Sequence, residues 1–437
     1  MTEKILQAGF ARASITPKAH MSLTGYGNDS VRISTQVRDD VCATCVAFRE
    51  GEDTVLMYTL DMLTASRDFT NASREAITAA TGVPGERIMF CGTHTHSGPT
   101  PWTKGFYREQ FISTVTALAV MAIADLAPAQ LLGAKEEKPG MNFVRHYVLA
   151  NGTVAGANFG NFKSAPMVGH SHPNDPQLQV VRAVREVKKD IVLINWQAHP
   201  CFTSNGRTTV ISADFICPLR DNFEAATGAH CAYFTGAAGD QTTGSRMEDT
   251  HGLDCDAYGQ KMAQLAQELM EKAQPLAGSG IGNSHVWFEQ PVNHAEAERI
   301  PEAQKMVDAW KESGYDNIGT NKLARENGFE SIFHANAIVR RQTRPDVAKM
   351  ELNALRVGGL SFVTVPFEMF NAHGKHAKDN SPYPITFVCS TANDYMNYIP
   401  TEAAFDYNCY ESAQAFFAKG SGEAVARKLV EMLEEIQ

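Results

Sequence analysis

Arg87-Ile-Met-Phe-Cys-Gly-Thr-His-Thr-His-Ser-Gly-Pro99 is the stretch from which the rest of the chain is read. Ile88 to Cys91 form a short apolar run, the pattern of a buried strand. The run ends in small and polar residues that include His94 and His96. Side chains at i and i+2 of an extended segment point to the same side. Two imidazoles on one side of a strand end can clamp a divalent cation, and imidazole suits zinc and other late first-row metals.

Working outward, the same arrangement recurs. Ile191–Trp196 reads as a strand paired with Leu178–Val184, and it leads to His199. Val210-Ile-Ser-Ala-Asp214 is a further apolar run that closes on a carboxylate. Cys231-Ala-Tyr-Phe234 runs into the glycine-rich Gly236-Ala-Ala-Gly-Asp240. Leu360-Ser-Phe-Val-Thr-Val365 precedes Glu368, and Pro384–Val388 precedes a loop with Tyr395 and Tyr398. In open α/β sheets ligands sit beyond the carboxyl ends of strands. Core packing alone does not explain so many runs that end in metal-competent or acid–base residues. The expectation is a metal site at the C-terminal ends of strands. Asp61 and Asp214 are read as support for it, since a metal-bound histidine needs an acceptor for its other N–H.

Hairpin strands are expected at Val41–Phe48 and Thr54–Leu60, and helices at about 68–81, 105–126, 253–273 and 421–436. In the second helix Phe111, Val115, Leu118 and Met121 form one stripe. Residues 128–175 look irregular, and His170 and His172 there fall in a solvated loop. Charged helices are expected at about 300–312 and 320–330, so 285–345 reads as a helical cap or an oligomer surface. The fold class is α/β: a large mixed β-sheet core flanked by helices, in a single domain spanning 1–437.

Bulk properties narrow the function. The chain has 437 residues, 43% hydrophobic and 20% charged, with a formal charge of −10. An acidic chain without a basic stripe argues against nucleic acid as a partner. No apolar run approaches the ~18 residues of a membrane span. The nine cysteines have no framework spacing and read as reduced thiols in a cytoplasmic protein. Cys42 and Cys45 lie in a strand pattern with no second pair to complete a zinc finger. The expected partner is a small-molecule substrate, and a homo-oligomer is compatible with the sequence.

Taken as an ordered set, these blocks resemble the neutral/alkaline (non-lysosomal) ceramidases. Gly92-Thr-His-Thr-His-Ser-Gly-Pro99 is similar to the family's metal signature. Gly9–Pro17 with Gly25-Tyr-Gly27, Asn195-Trp-Gln-Ala-His-Pro200, Gly236–Asp240, Glu351 to Glu368, and Tyr398-Ile-Pro-Thr401 through Tyr410-Glu411 follow in the family's order. The resemblance spans nearly the whole chain, least around 285–345. It implies one catalytic zinc held by His94, His199, Glu368 and Tyr398, with Tyr395 as the alternative phenol. His96 and Tyr410 would face the substrate carbonyl or its oxyanion, aided by N–H groups of the Gly236–Gly239 loop. Asp240 or His96 would carry the proton to the leaving amine, and Arg145 would contact substrate.

Three departures qualify the match. Where the ceramidases read Gly-Asp-Val-Ser-Pro-Asn, this chain reads Gly239-Asp-Gln-Thr-Thr-Gly244, with Thr242 in place of the active-site serine. Pro366-Phe-Glu368 replaces Pro-Gly-Glu. The match is to the catalytic region, without the immunoglobulin-like domain and leader of secreted ceramidases. The expectation is therefore a zinc-dependent hydrolase of an amide (N-acyl) bond in a soluble substrate rather than ceramide. An esterase or lactonase on a small polar substrate, and a non-catalytic metal-containing binding protein, are the alternatives.

Overall fold

A computed structural model describes residues 5–27, 31–100, 105–204, 208–247 and 249–437. Among these residues the larger sheet has nine strands. Its spatial order is His230–Thr235, Ile191–Trp196, Gln177–Arg185, Ala127–Glu137, Leu6–Ser14, Cys42–Glu50, Asp53–Leu60 and Ile88–Gly92, with Gln274–Pro275 joined to Ala127–Glu137. Pairing is parallel at both ends of this order, where Ile191–Trp196 meets His230–Thr235 and Asp53–Leu60 meets Ile88–Gly92. It is antiparallel between them. The expected hairpin is present, with Cys45 opposite Tyr58.

A second sheet orders Ile281–Pro291, Val347–Val357, Leu360–Thr364 and Ile385–Cys389. The two sheets pack face to face. Phe10, Phe48, Val55 and Leu193 of the first share one buried cluster with Leu355, Phe362 and Phe387 of the second. The outer face of the first sheet is covered by helices Arg67–Thr81 and Phe106–Ala124 at one end, and by Ile216–Thr227 and Cys255–Met270 at the other. Helices Asn371–Asp379 and Ser421–Glu435 cover the second sheet. The result is four layers, helix–sheet–sheet–helix. The expected large mixed sheet is flanked by helices on one face and by a second sheet on the other.

Three sequence expectations give way. The stretch read as irregular contains the eleven-residue strand Ala127–Glu137, hydrogen-bonded on both sides. Its Gln130, Lys135, Glu136 and Glu137 masked it, because only Ala127, Leu131 and Gly133 of the strand are buried. The region read as helical begins instead with Ile281–Pro291, a polar outer strand paired along its whole length with Val347–Val357. The helices there, Ile300–Glu312, Asn317–Glu326 and Ile332–Arg341, pack through Met306, Trp310, Phe329 and Ile338. Finally, Met121 is exposed; Ala119 and Ala122 continue the buried stripe of Phe111, Val115 and Leu118. Among the described residues no helix is long and apolar enough to cross a membrane.

Both sheets deliver the C-terminal ends of their parallel strands to one place. Ser390 N donates to Thr235 O at 3.1 Å, and Gly92 N to Thr391 O at 3.3 Å. Asn195 Nδ2 donates to both Phe234 O and Val388 O at 2.9 Å. These bonds fix one sheet against the other just before their chains turn into loops.

Candidate metal centre

His94 leaves the strand Ile88–Gly92 in the left-handed region, with φ of 68°. Strand alternation therefore does not aim His94 and His96 together, as the sequence suggested. The turn does, and their rings stand edge to face at 5.0 Å. His199 arrives from Ile191–Trp196 and Glu368 from beyond Leu360–Thr364. Nε2 of His94 and Nε2 of His199 are 3.1 Å apart, and Oε2 of Glu368 is 3.2 Å from the first and 3.3 Å from the second. Ligand atoms about 2.0–2.1 Å from a tetrahedral cation stand roughly 3.3–3.4 Å from one another. The triangle has that size.

Charge and proton placement support the same reading. His94 Nδ1 bonds Leu63 O at 2.9 Å, and His199 Nδ1 bonds Ala238 O at 3.0 Å. A carbonyl only accepts, so both rings carry their proton on Nδ1 and turn lone pairs at each other through Nε2. Burial, with Arg145 nearby, lowers the His199 pKa to about 4, so the ring is neutral at pH 7. The Glu368 carboxylate faces the same point with Oε2. Its Oε2 has no hydrogen-bond partner among the described residues. Two facing lone pairs and an ionised, partnerless oxygen form a buried donor set that a divalent cation satisfies. The acceptors that orient the histidines are backbone carbonyls. Asp61 and Asp214, read from sequence as candidates for that task, bind elsewhere: Asp61 pairs with Arg220, and Asp214 accepts from Thr203 and Phe215.

The two tyrosines divide. Tyr395 donates to Glu368 Oε1 at 2.6 Å, fixing the oxygen that does not face the histidines. Tyr398 pairs with Glu368 along the backbone and accepts from Arg145 Nη2 at 3.3 Å. Arg145 is held by Gly239 O at 2.7 Å and by Glu411 at 2.8 Å. Burial opposes the Glu411 charge, yet Arg145 and His146 bring its pKa to about 2. His146, Cys409 and Glu411 are close enough to form a second potential ligand group. Both His146 nitrogens are engaged, by Tyr407 and Glu411, so the group acts as the mount for Arg145.

His96, Tyr398 and Tyr410 line two adjoining cavities of about 500 Å³ and 260 Å³. Both ring nitrogens of His96 are buried without a partner among the described residues. Burial and the neighbouring His94 and His199 keep its pKa well below the ordinary histidine value. Thr242 and Arg145 line the larger cavity. Asp240 does not join them. Its carboxylate accepts from His172 Nε2 at 2.9 Å and from Asn371 N at 2.8 Å, and it lines neither cavity. His172 is thus a partner of Asp240 rather than a solvated loop residue. The glycine-rich loop also differs from expectation. Gly236 N donates to Trp196 O and Gly239 N to Met369 O, so neither faces a ligand. A Cβ at Gly239 would lie 2.4 Å from Glu368 O, so glycine here allows close backbone packing beside the carboxylate.

Sequence reasoning missed the wall supplied by Trp310, Phe333, Asn336 and Arg340 of the helical segment. Ordinary helix periodicity accounts for these residues, so nothing local set them apart. Gly25-Tyr-Gly27 was the legible signal, as a close backbone approach. A Cβ at Gly25 would lie 2.5 Å from His96 Nδ1.

Two solved structures share this architecture. A neutral ceramidase from Pseudomonas aeruginosa superposes with a TM-score of 0.74 at 15% identity, over 99% of this chain and 74% of that one. A ceramidase complexed with C2 gives 0.72 at 16% identity, over 99% and 75%. The chain has the neutral ceramidase fold. No protein-family model matches it, and no curated protein does.

Proposed function

We propose that this chain is a zinc-dependent hydrolase that cleaves an amide (N-acyl) bond of a soluble substrate. The observation that carries the reading is the buried triangle of His94 Nε2, His199 Nε2 and Glu368 Oε2. Tyr398 completes the set as the phenol next to Glu368, because Tyr395 is committed to the other carboxylate oxygen. A divalent cation there supplies Lewis acidity, lowering the pKa of water and polarising a carbonyl. The fold of the two ceramidase structures supports amide hydrolysis as the reaction class. The whole chain, 1–437, is read as one catalytic unit, with 297–341 as its helical cap.

The chain's own groups have separable tasks. His96, neutral and without a partner among the described residues, offers a ring nitrogen to the lining that both cavities share. It is placed to hydrogen-bond a substrate carbonyl and to pass a proton to the leaving amine, the role the sequence shared between it and Asp240. The Tyr410 hydroxyl donates toward developing negative charge; one such donor contributes about 3–4 kcal/mol. Arg145 holds the Tyr398 hydroxyl, and Thr242 presents its own hydroxyl to the substrate from the wall of the larger cavity.

Metal analysis of purified protein, chelation and zinc readdition, each followed on a panel of N-acyl compounds, esters and lactones, tests the assignment. The expected result is one metal per chain, loss of amide hydrolysis on chelation and its return with zinc. Unchanged turnover without metal overturns the metal reading, and a preference for esters or lactones overturns the amide. Gly25→Ala is a separate probe of His96. Its Cβ at a φ of +123° displaces the His96 ring, and a misplacement of about 1 Å costs about 100-fold. The variant should lose that much kcat with its metal retained.

A further inference from the structure

The smaller cavity has a chemistry of its own. Phe333, Asn336 and Arg340 occupy successive turns on one face of helix Ile332–Arg341, at i, i+3 and i+7, and line this lobe. Asn397 and Gln414 line it too. Among the described residues the Arg340 guanidinium has no ion pair or hydrogen bond, and it acts on Tyr395, the residue bonded to Glu368. Its counterpart across the site, Arg145, is neutralised by Glu411. Apart from Glu368, which faces the histidines, Arg340 is the charged residue of the lobe. The larger lobe differs: Tyr26, Phe159, Phe333 and Ile318 give it apolar walls, and its two arginines are engaged within the protein, Arg145 by Glu411 and Arg246 by Ala157 O and the Phe162 ring.

We infer that the substrate is an amide carrying a carboxylate, of the N-acyl amino acid class. The acyl group lies in the larger lobe and the carboxylate meets Arg340 in the smaller. The inference rests on the hydrolase reading above and narrows it. An arginine fork offers two parallel donors to a carboxylate. The carboxamide N–H groups of Asn336 and Asn397 add donors from the same wall. A lobe of about 260 Å³ has room for an amino-acid-sized group, and the apolar lobe of about 500 Å³ takes the chain attached to it. Arg340 is exposed at the rim of the lobe, where it stays solvated beside a neutral amide alcohol and gains a fork contact only from a carboxylate.

The test compares matched pairs, an N-acylglycine and its uncharged N-acylglycinamide, on the metal-loaded enzyme and on Arg340→Met and Arg340→Lys. A charge-assisted fork at an exposed arginine favours the acid by about 3- to 10-fold in kcat/KM, chiefly through KM. Arg340→Met should bring the ratio toward 1, Arg340→Lys should restore part of it, and added salt should erode it. Calorimetric titration of wild type and Arg340→Met with N-acyl-N-methylglycine gives a binding readout independent of turnover, and wild type should bind more tightly. Equal kcat/KM for acid and amide, unchanged by Arg340→Met, overturns the carboxylate assignment and leaves the amide hydrolase intact. Tighter binding of an aminomethylphosphonate analogue than of the carboxylate also overturns it, in favour of a phosphoryl group. If no N-acyl compound is cleaved, the hydrolase reading fails and takes the substrate assignment with it.

Discussion

His94→Ala should give a folded protein without its metal and with kcat reduced about a thousandfold or more. The size follows from what the position holds together. Loss of His94 Nε2 opens one corner of a triangle whose other corners, His199 and Glu368, are 3.3 Å apart. Two remaining groups from that triangle bind a cation far more weakly than three. The Lewis acidity forfeited is several kcal/mol of stabilisation at the reacting carbonyl, and each ~1.4 kcal/mol is tenfold. The fold should survive, because besides this triangle the side chain's contacts among the described residues are a hydrogen bond to Leu63 O and the ring edge of His96. Glu368→Gln is the sharper companion. It keeps the shape and the Tyr395 contact but removes the charge. If the triangle holds a cation, Glu368→Gln lowers metal content as well. A His94→Ala protein with full metal content and wild-type turnover would remove the basis of the assignment.

The elements that sequence reveals best here are those that are locally consistent. Ile88–Gly92, Ile191–Trp196 and His230–Thr235 are buried on both faces, so each reads as an unbroken apolar run, and their ends point to the site. The corners of the triangle, His94, His199 and Glu368, were legible for that reason. Ala127–Glu137 and Ile281–Pro291 were not, because neither is an unbroken buried run and polar residues interrupt both, Gln130 and Lys135 in the first and Asn283, Ser284 and Glu289 in the second. The same limit separates Asp240 from the cavity: a carboxylate after a strand looks alike whether it faces substrate or, as here, His172 and Asn371 N. Partners so distant in sequence are set by tertiary packing, which no local pattern encodes. The second sheet was hidden for a related reason. Leu360–Thr364 reads as a strand, but nothing within it says which sheet it joins.

Arg74→Met should lower stability by about 3–5 kcal/mol at pH 7, the cost of stranding a buried charge. Arg74 Nη1 and Nη2 donate to Glu351 at 3.0 Å and 2.7 Å, and Glu351 is 2% exposed. Asn353 Nδ2 at 3.0 Å and Asn393 Nδ2 at 3.3 Å complete its shell, with His285 at 3.6 Å. The arginine comes from a helix on the first sheet and the glutamate from the second, so this pair crosses the layers. Burial opposes the Glu351 charge, yet His285 and Arg74 lower its pKa from 4.5 to about 2. A depressed carboxylate pKa means that the folded state binds its proton less readily than the unfolded state. The stabilisation is therefore complete above about 4.5 and is lost as pH falls toward 2. The deficit of Arg74→Met should be full at pH 7 and shrink across that window, read from urea midpoints at several pH values. An undiminished deficit at pH 3, or none at pH 7, contradicts the account. The effect should also reach the site. Asn393 exchanges both backbone and side-chain bonds with Phe90, and it begins the loop that carries Tyr395 and Tyr398. Removing the arginine loosens the anchor of that loop, so kcat should fall before the protein unfolds, which a urea titration of activity and fluorescence together would reveal.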